Sequence, residues 1–241
     1  MTLPRALVIG GRRGIGAAVV QTLADRGFAV TYTYRTDPGG PFPPSVSARA
    51  LDLADRPAVE AFAVEQADAP AWDALVQVGG TTYDALAAMM EQDAAERAMQ
   101  VNFFAFARIA RAVVRPMMRA RHGRIVAIGS VIGQLASQGN AAYGATKAAL
   151  LSYVRSLAIE SARRGVTVNY VAPGFIDTEM MAPFAAYRTP TEGRIPAARY
   201  GKPEEIAAVV AFLVSAEASY VNGAYIPVDG GLTASVGVPR G

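Results

Sequence analysis

The chain has 241 residues, of which 52% are hydrophobic and 18% charged, a composition that suits a substantial core and argues against disorder. It contains no cysteine and a single histidine, His122, which excludes disulfides, cysteine nucleophiles and thiolate zinc sites and leaves little for a metal site or a Ser-His-Asp triad. The net charge of +3 comes from scattered arginines, which favours anionic small molecules or acidic proteins as partners over nucleic acid.

No targeting or membrane-spanning segment is recognisable in the sequence. The first apolar run, at residues 6–9, has the length of a strand and lacks the character of a signal peptide. No apolar stretch approaches the roughly 18 residues that cross a bilayer. We therefore expect a cytoplasmic protein that contacts no membrane and binds no metal.

Short β-branched runs alternate with longer helical patterns along the chain, which is typical of βαβ units and a parallel sheet. The predicted strands are 6–9, 29–34, 72–78, 123–128, 167–171 and 224–228. The predicted helices are 17–26, one or two within 91–121, 141–163 and 204–215. Because this rhythm continues without a break, we predict an α/β protein: a single-domain Rossmann fold over residues 1–241, with a doubly wound parallel sheet and helices on both faces.

Two stretches interrupt the rhythm. Residues 37–47 hold four prolines and two glycines, so they are predicted to form an irregular loop. Residues 180–199 contain Pro183, Pro190 and Pro196 and are also predicted to be irregular. An irregular segment late in such a domain suits a substrate lid, although a simple surface connection is the alternative.

The link between the first strand and the first helix is rich in glycine. It reads Gly10-Gly11-Arg12-Arg13-Gly14-Ile15-Gly16. Glycine allows positive φ, lets the backbone approach a pyrophosphate, and leaves the helix N–H groups and dipole facing the phosphates. A tight strand–helix turn also needs glycine, but the position inside a βαβ unit favours a dinucleotide-binding loop.

The end of the second strand indicates which dinucleotide binds. NAD-binding Rossmann domains usually carry Asp or Glu there, which accepts hydrogen bonds from the ribose hydroxyls. Here the strand ends in Tyr34-Arg35, and the glycine loop adds Arg12 and Arg13. Guanidinium groups offer bidentate donors to a 2′-phosphate, whereas a carboxylate repels it. These arginines are alternatively just solvated, but their convergence on the adenosine end predicts NADPH, with Asp52 accepting from the adenine amino group.

Tyr143 and Lys147 are one turn apart on a predicted helix, so they share one face. A phenol with a pKa near 10 is a poor acid at neutral pH, and we expect the nearby ammonium to lower that pKa. Ser130 follows the predicted strand 123–128, where its hydroxyl can reach the same substrate oxygen. A Tyr-x-x-x-Lys pair alone is usually a surface pair. Together with the serine and the glycine loop, it predicts a ketone reductase.

These motifs together resemble the short-chain dehydrogenase/reductase family over essentially the whole chain. The stretches that carry the resemblance are the glycine loop from Ile9 to Gly16, Asn102, Ser130, Tyr143 with Lys147, and Pro173-Gly174-Phe175-Ile176-Asp177-Thr178. Since every position of the family's catalytic tetrad is filled, the resemblance implies an active enzyme.

The resemblance also implies a role for each residue. Ser130 polarises the carbonyl and Tyr143 donates the proton. Lys147 holds the nicotinamide ribose and tunes the tyrosine. Asn102 binds a water of the proton relay, and Thr178 contacts the nicotinamide end or the phosphates. The residues predicted to bind the cofactor are Gly10, Arg12, Arg13, Gly14, Ile15, Gly16, Arg35, Asp52, Leu53, Gly79, Gly80, Tyr143, Lys147, Pro173, Gly174, Ile176 and Thr178.

Within the family, the sequence is most similar to the 3-oxoacyl-[acyl-carrier-protein] reductases. The similar stretches are 121–126, 128–133, 165–169, 171–176 and 195–199. Those enzymes dock an acidic carrier protein through basic residues beside the pocket, and Arg121 and Arg164 occupy matching positions. Solvated helix ends are the alternative explanation for both arginines. The resemblance further implies a homotetramer built through the helical segments 91–121 and 141–163.

Two features depart from the family pattern. The family's N-N-A-G after the fourth strand is replaced by Gln77-Val78-Gly79-Gly80, so a different arrangement must brace this part of the sheet. The helix usual between the second and third strands is replaced by the proline-rich loop 37–47. We therefore expect a specialised branch, such as a polyketide ketoreductase, over the housekeeping enzyme of fatty-acid synthesis.

The predicted substrate is the 3-keto group of an acyl chain carried as a thioester. The apolar lid residues that suit such a chain are Phe175, Met180, Met181, Phe184 and Tyr187, which would also serve as ordinary core. One alternative is a reductase or dehydrogenase of a free ketone, sugar or cyclic alcohol. Another is a non-catalytic protein that senses NADPH.

Overall fold

The computed structural model of the chain describes residues 3–235, which form one seven-stranded sheet covered by helices on both faces. The strands are β1 (Arg5–Ile9), β2 (Ala29–Tyr34), β3 (Val46–Ala50), β4 (Ala74–Gln77), β5 (Gly123–Ile128), β6 (Val166–Pro173) and β7 (Tyr225–Val228). The α-helices are α1 (Gly14–Asp25), α2 (Arg56–Asp68), α3 (Gln92–Met99), α4 (Ala105–Ala120), α5 (Ala141–Ser161), α6 (Arg188–Glu192) and α7 (Pro203–Leu213). Within this part of the chain no helix is both long and apolar enough to cross a membrane.

All strand pairs are parallel, and their spatial order is β3-β2-β1-β4-β5-β6-β7. The chain therefore winds outward from β1 through β2 to β3, and then crosses back to build the other half of the sheet. Loops leaving β1 and β4 turn to opposite faces and open a crevice at the carboxyl edge of the sheet, which is where open α/β sheets bind their ligands. The predicted doubly wound Rossmann fold is confirmed.

Two apolar layers flank the sheet because successive side chains of a strand point to opposite faces. Leu7 and Ile9 of β1 pack into the layer covered by α2, α4 and α5. Ala6 and Val8 of the same strand pack into the layer covered by α1 and α7. This double burial explains why the central strands are continuous apolar runs.

The joint between α3 and α4 is a π-helical segment, Gln100–Phe104. The sequence predicted one or two helices over 91–121, and the structure has two helices joined through this widened turn. π-Helical turns are rare and occur often at functional sites. Asn102 lies within the segment and is buried.

Helix α2 is missing from the predicted elements, although the sequence carries its start signal. The Asp55 carboxylate accepts a hydrogen bond from the Ala58 N–H at 3.0 Å, and Pro57 lies in the first turn, where no intrahelical donor is needed. The predicted loop 37–47 extends two residues too far, because β3 begins at Val46. No helix lies between β2 and β3, as predicted.

The predicted irregular segment 180–199 is helical over residues 180–192, so the prediction is wrong for this part. A 3-10 helix covers Glu179–Tyr187 and leads directly into α6. Pro190 fits there because it is in the first turn of α6, whose N–H groups have no partner within the helix in any case. Residues 193–199 form turns and bends. Whether the segment moves as a lid stays a prediction.

Candidate active site

The glycine loop forms a cradle at the carboxyl end of β1. Gly10 and Gly14 have φ of +83° and +51°, and a Cβ atom on Gly16 would lie 2.0 Å from the Gly10 carbonyl oxygen. The loop therefore cannot carry side chains at these positions. Helix α1 begins at Gly14 without a side-chain cap and without an acidic residue in its first turn. Its first N–H groups are thus available to an anion, which fits the pyrophosphate of a dinucleotide.

A second glycine pair widens the crevice at the end of β4. The Gly79 N–H donates to the Ile9 carbonyl oxygen at 2.7 Å, and a Cβ on Gly10 would lie 2.5 Å from the Gly79 Cα. On the other side, a Cβ on Gly79 would meet the Leu53 Cδ1 at 2.8 Å. The two loops therefore pack backbone against backbone and leave a floor free of side chains.

Gln77 supplies the bracing that the unusual Gln77-Val78-Gly79-Gly80 sequence requires. Its side chain is 1% exposed, and its Nε2 donates to the Gly79 carbonyl oxygen at 2.6 Å. The glutamine thus holds the turn after β4 from within the sheet. Its Oε1 is buried and has no hydrogen-bond partner among residues 3–235.

The three arginines predicted to select NADPH surround the glycine loop, but two of them are paired. The Arg12 Nε donates to the Asp37 Oδ2 at 3.2 Å, and this guanidinium holds the pKa of the Asp37 carboxyl below its usual range. The Arg13 Nη1 lies 2.8 Å from the Glu179 Oε2. Arg35 is exposed at the end of β2. Arg12 and Arg13 thus have carboxylate partners from segments distant in sequence, and the selection of NADPH by the three arginines stays a prediction.

The remaining predicted cofactor residues lie along the same edge of the sheet. Asp52 is exposed after β3, and its Oδ1 accepts from the Ala54 N–H at 2.9 Å. The segment after β6 crosses to the glycine loop, so that a Cβ on Gly14 would lie 3.1 Å from the Thr178 methyl carbon. Pro173, Gly174 and Ile176 lead up to this contact, and Ile176 is 5% exposed. The geometry therefore brings Thr178 to the phosphate cradle.

Tyr143 and Lys147 are in the first two turns of α5, whose N-terminus faces the carboxyl end of β5. The Lys147 Nζ lies 5.6 Å from the centroid of the Tyr143 ring and donates to the Ile128 carbonyl oxygen at 3.3 Å. A hydrogen bond with Ser130 acts to lower the pKa of Tyr143, so serine, tyrosine and lysine meet as predicted. The Ser130 hydroxyl also accepts from the Ile132 N–H at 3.2 Å, which fixes its rotamer.

The electrostatics of this group differ from the expectation. Burial raises the pKa of Tyr143 above its ordinary value of 10.0, and this outweighs the opposing effect of Ser130. Burial also lowers the pKa of Lys147 to about 8. The predicted lowering of the tyrosine pKa by the lysine is therefore wrong for the protein alone, because desolvation dominates both groups.

Asn102 is a brace between three segments. Its Oδ1 accepts from the Thr81 N–H at 2.8 Å, while its Nδ2 donates to the Thr81 carbonyl oxygen at 2.9 Å and to the Thr146 Oγ1 at 3.0 Å. Both amide hydrogens are thus used, which leaves one lone pair of the Oδ1. A role for Asn102 in binding a relay water stays a prediction, whereas its bracing of the β4 loop against α5 is observed.

A further wall of the site comes from residues that the sequence analysis missed. Asn140, just before α5, donates to the Asp84 carboxylate, and the Ala85 N–H donates to the Gly139 carbonyl oxygen at 2.8 Å. The negative charge of Asp84 contributes to the raised pKa of Tyr143. These residues are more than 50 positions apart in sequence, and no local pattern joins them.

The two arginines predicted to dock a carrier protein are neighbours, but they lie away from the catalytic group of their own chain. A Cβ on Gly165, next to Arg164, would lie 2.4 Å from the Arg121 carbonyl oxygen. Arg121 precedes β5 and Arg164 precedes β6, so both are at the amino edge of the sheet. Helix α5, with 21 residues, places about 30 Å between Tyr143 and Arg164. The expected position beside the pocket is therefore wrong within one chain.

The lid segment borders a surface cavity of about 410 Å³. Its lining is partly apolar, and the residues are Asp177, Thr178, Glu179, Met181, Ala182, Phe184, Ala185, Arg188 and Tyr200. Phe175 stacks on Tyr200 with 5.6 Å between ring centroids, so it supports the cavity from below. Met180 and Tyr187 are exposed. None of the side chains predicted to be catalytic lines this cavity. In residues 3–235 no group of three or more His, Asp or Glu side chains is arranged to hold a metal ion.

Comparisons with known proteins agree with this geometry. Residues 9–233 match the protein-family model described as enoyl-(acyl carrier protein) reductase. The chain is 39% identical over 234 residues to a 3-oxoacyl-[acyl-carrier-protein] reductase of Vibrio cholerae, covering 94% of this chain and 96% of that protein. It is 41% identical over 231 residues to one of Mycobacterium tuberculosis, covering 94% and 91%.

Solved structures with the same fold include sugar-acid and sugar dehydrogenases. A gluconate 5-dehydrogenase from Burkholderia cenocepacia, in complex with NADP and tartrate, superposes with a TM-score of 0.89 at 33% identity, covering 97% of this chain and 96% of that one. An aldohexose dehydrogenase from Thermoplasma acidophilum has a TM-score of 0.91 at 26% identity, covering 99% and 97%. The chain is an oxidoreductase that uses a nicotinamide cofactor. It belongs to the short-chain dehydrogenase/reductase family.

Proposed function

We propose that the protein is an NADPH-dependent ketoreductase that converts the 3-keto group of an acyl thioester, fatty-acid-like or polyketide, into the 3-hydroxy group. The observation that carries this proposal is the meeting of Ser130, Tyr143 and Lys147 at the carboxyl edge of the sheet, beside the glycine cradle. Relatives at 39–41% identity that are named 3-oxoacyl-[acyl-carrier-protein] reductases support the substrate class.

A bound nicotinamide supplies the hydride for the carbonyl carbon. The protein has to hold the carbonyl oxygen and deliver a proton to it. The Ser130 hydroxyl donates a hydrogen bond to that oxygen, and the Tyr143 phenol gives up its proton as negative charge develops there. Because burial raises the pKa of Tyr143, the phenol is protonated at neutral pH. Lys147, with a pKa of about 8, is an ammonium at that pH and stabilises the phenolate that forms.

The choice of NADPH rests on the charge around the adenosine end. Arg12, Arg13 and Arg35 place three guanidinium groups there, and β2 ends without a carboxylate that would accept from the ribose. Arg12 and Asp37 form an exposed ion pair. A bound 2′-phosphate must therefore displace the Asp37 carboxylate from Arg12 or share the Arg12 guanidinium with that carboxylate. A phosphate carries more charge than a carboxylate at pH 7, so it competes well for the guanidinium.

The proposed carrier docking requires more than one copy of the chain. Helix α5 exposes small residues, Ala145, Ala148 and Ser152, along one stripe, which suits close packing against a second copy. When two copies of α5 pack antiparallel, Arg164 of one copy comes to lie beside the start of α5 in the other. An acidic carrier docked on Arg121 and Arg164 then serves the tyrosine of the second copy. The homotetramer and the cytoplasmic location stay predictions.

A second candidate function is oxidation or reduction of a free sugar acid or sugar. The structural similarity to the gluconate 5-dehydrogenase, at 33% identity over nearly the whole chain, favours this alternative specifically. It uses the same serine, tyrosine and lysine, so the catalytic residues cannot separate the two candidates. Only the choice of substrate separates them.

The deciding experiment measures NADPH oxidation with a matched panel of substrates. The panel contains a 3-oxoacyl chain on a carrier protein, the same chain on a small thiol, an enoyl thioester, and a keto-gluconate. We expect turnover of the 3-oxoacyl thioesters, with loss of turnover in Tyr143→Phe. Turnover of the keto-gluconate alone, or of the enoyl thioester alone, overturns the proposed substrate. Normal biological activity of Tyr143→Phe would instead support the sensor.

Carrier docking is tested separately by charge reversal. Arg121→Glu with Arg164→Glu should raise the KM for the carrier-bound substrate and leave the KM for the small thioester unchanged. Arg26→Glu with Arg49→Glu, which reverses two exposed charges elsewhere, serves as the control. Equal effects of the two double variants on the carrier-bound substrate would contradict docking at the Arg121–Arg164 pair.

A further inference from the structure

Tyr170 is a fully buried tyrosine of β6 that lies directly under the catalytic serine. Its side chain is 0% exposed, and its ring stacks on Tyr225 of β7 with 5.6 Å between centroids and 17° between planes. β6 pairs with β5 so that Tyr170 is in register with Ala127. The ring therefore reaches the loop that follows β5, where Ser130 begins the turn Val131–Gly133.

The glycines on both sides of Ser130 make room for this ring. A Cβ on Gly129 would lie 1.7 Å from the Tyr170 Cζ, and a Cβ on Gly133 would lie 2.6 Å from its hydroxyl oxygen. Neither contact is possible for a real side chain. Glycine at positions 129 and 133 is thus required by Tyr170, and both glycines have φ outside the left-handed region, so no turn conformation demands them.

The hydroxyl of Tyr170 joins the backbone of the two catalytic segments. It accepts from the Ser130 N–H at 3.0 Å and lies 3.2 Å from the Ser130 carbonyl oxygen and 3.3 Å from the Lys147 carbonyl oxygen. Its single hydrogen is therefore within reach of both carbonyl groups. A buried N–H group without a partner costs free energy, so the tyrosine also satisfies a donor that the turn leaves open.

We propose that Tyr170 is a positioning residue, whose hydroxyl fixes the Ser130 segment against the Lys147 turn of α5 and thereby sets the distance between the serine hydroxyl and the Tyr143 phenol. The inference rests on the proposed roles of Ser130 and Tyr143. Burial raises the pKa of Tyr170 far above its ordinary value, which keeps the hydroxyl a neutral donor and acceptor throughout the working range. Tyr170 does not face the crevice and takes no part in proton transfer itself.

Tyr170→Phe tests the proposal because it removes one oxygen atom and keeps the stacked ring. We expect kcat to fall by about tenfold to a hundredfold, since misplacement of a reacting group by about 1 Å has effects of this size, while the KM for NADPH stays unchanged. The alkaline limb of the kcat profile should also move, because the Ser130 hydroxyl no longer faces the Tyr143 phenol in the same way.

Tyr153→Phe is the matched control. The Tyr153 hydroxyl also donates to a backbone carbonyl, that of Ala107 at 3.3 Å, and its ring packs on Phe103 and Phe106. Tyr153→Phe thus also removes a tyrosine hydroxyl from the apolar layer that contains Tyr170, but at a distance from Ser130, Tyr143 and Lys147. A merely structural role for Tyr170 predicts that both variants lose thermal stability and that neither changes kcat.

A double-mutant cycle with Ser130→Ala decides between positioning and general damage. If Tyr170 acts through the serine, then Tyr170→Phe lowers kcat in the wild-type background and has little further effect in Ser130→Ala. Gly133→Ala is the second variant if Tyr170→Phe proves too unstable to measure: its methyl group would lie 2.6 Å from the Tyr170 hydroxyl oxygen and 3.2 Å from the Lys147 carbonyl oxygen, so it disturbs the same link between the two segments and should also lower kcat.

The cycle uses whichever carbonyl compound the wild type reduces, so a wrong substrate class does not affect it. An unchanged kcat in Tyr170→Phe, or effects that multiply fully with Ser130→Ala, would overturn the proposal. An unchanged kcat in Ser130→Ala alone would instead overturn the proposed role of the serine.

Discussion

Replacing Lys147 by methionine should stabilise the protein at neutral pH while it removes the activity. The lysine side chain is 5% exposed, and burial lowers its pKa from 10.5 to about 8. A lysine whose pKa is lower in the folded state than in the unfolded state binds its proton less tightly when folded. Its charge therefore opposes folding at all pH values below about 8, and this penalty disappears as the pH rises toward 10.5.

The magnitude follows from the two pKa values. The difference between 10.5 and about 8, at about 1.36 kcal/mol per pKa unit, corresponds to about 3 kcal/mol at pH 6.5. Methionine has a similar length and no charge, but it loses the hydrogen bond from the Nζ to the Ile128 carbonyl oxygen at 3.3 Å. That bond contributes about 1 kcal/mol. We therefore expect Lys147→Met to raise the free energy of unfolding by about 2 kcal/mol at pH 6.5.

Urea unfolding followed by circular dichroism, at equal protein concentration and without nucleotide, measures this difference. At pH 9.5 the advantage of Lys147→Met should be about 2 kcal/mol smaller than at pH 6.5, because the folded wild type has lost the proton by then. Lys202→Met is the control, since Lys202 is the other lysine of the sequence and is exposed. The reasoning is refuted if Lys147→Met is no more stable than the wild type at pH 6.5, or if its advantage is the same at both pH values.

Two further predictions concern the cofactor cradle. Asp37→Asn should lower the KM for NADPH by up to about fivefold and leave the KM for NADH unchanged, because the charge of Arg12 is then no longer neutralised. Steady-state kinetics with both cofactors measures this difference. The control is Glu65→Gln, which breaks the exposed ion pair with Arg49 and should change neither KM. Gly16→Ala should abolish NADPH binding in a fluorescence titration, because its methyl group would lie 2.0 Å from the Gly10 carbonyl oxygen. Gly193→Ala, where φ is −63° and a Cβ meets only two carbonyl oxygens at 3.7 Å, should bind NADPH as the wild type does, and weak binding there would show that the loss in Gly16→Ala is not local.

The fold was predictable because its central strands bury both faces. The runs in β1, β4, β5 and β6 are nearly all apolar and end in glycine or proline, and this combination fixes both the type of element and its end. Helix α2 was not predicted because its apolar positions are few; its buried residues are Val59, Phe62, Ala63 and Gln66. The sequence nevertheless contains a start signal for this helix, Asp55 with Pro57 two residues later.

The proximity of Ser130, Tyr143 and Lys147 was predictable for a different reason. Tyr143 and Lys147 share one helix, and Ser130 follows the neighbouring strand, so local spacing is enough to place them together. The partners of Asn102 and the Asp37 contact with Arg12 join segments at least 21 residues apart, through loops whose course no periodicity describes. The sequence therefore predicts which residues act, and the structure adds what holds them in place.

Burial shifts the pKa values of Tyr143 and Lys147 in opposite directions, and this bears on the direction of the reaction. A buried phenol keeps its proton more firmly, and a buried ammonium releases its proton more readily. At neutral pH the pair is thus a protonated phenol beside an ammonium, which is the form that can give a proton to a developing alkoxide. Oxidation of an alcohol needs the phenolate at the start, and the pair reaches that form only at alkaline pH. The desolvation that makes the charged Lys147 destabilise the folded state therefore also supports carbonyl reduction over alcohol oxidation at neutral pH.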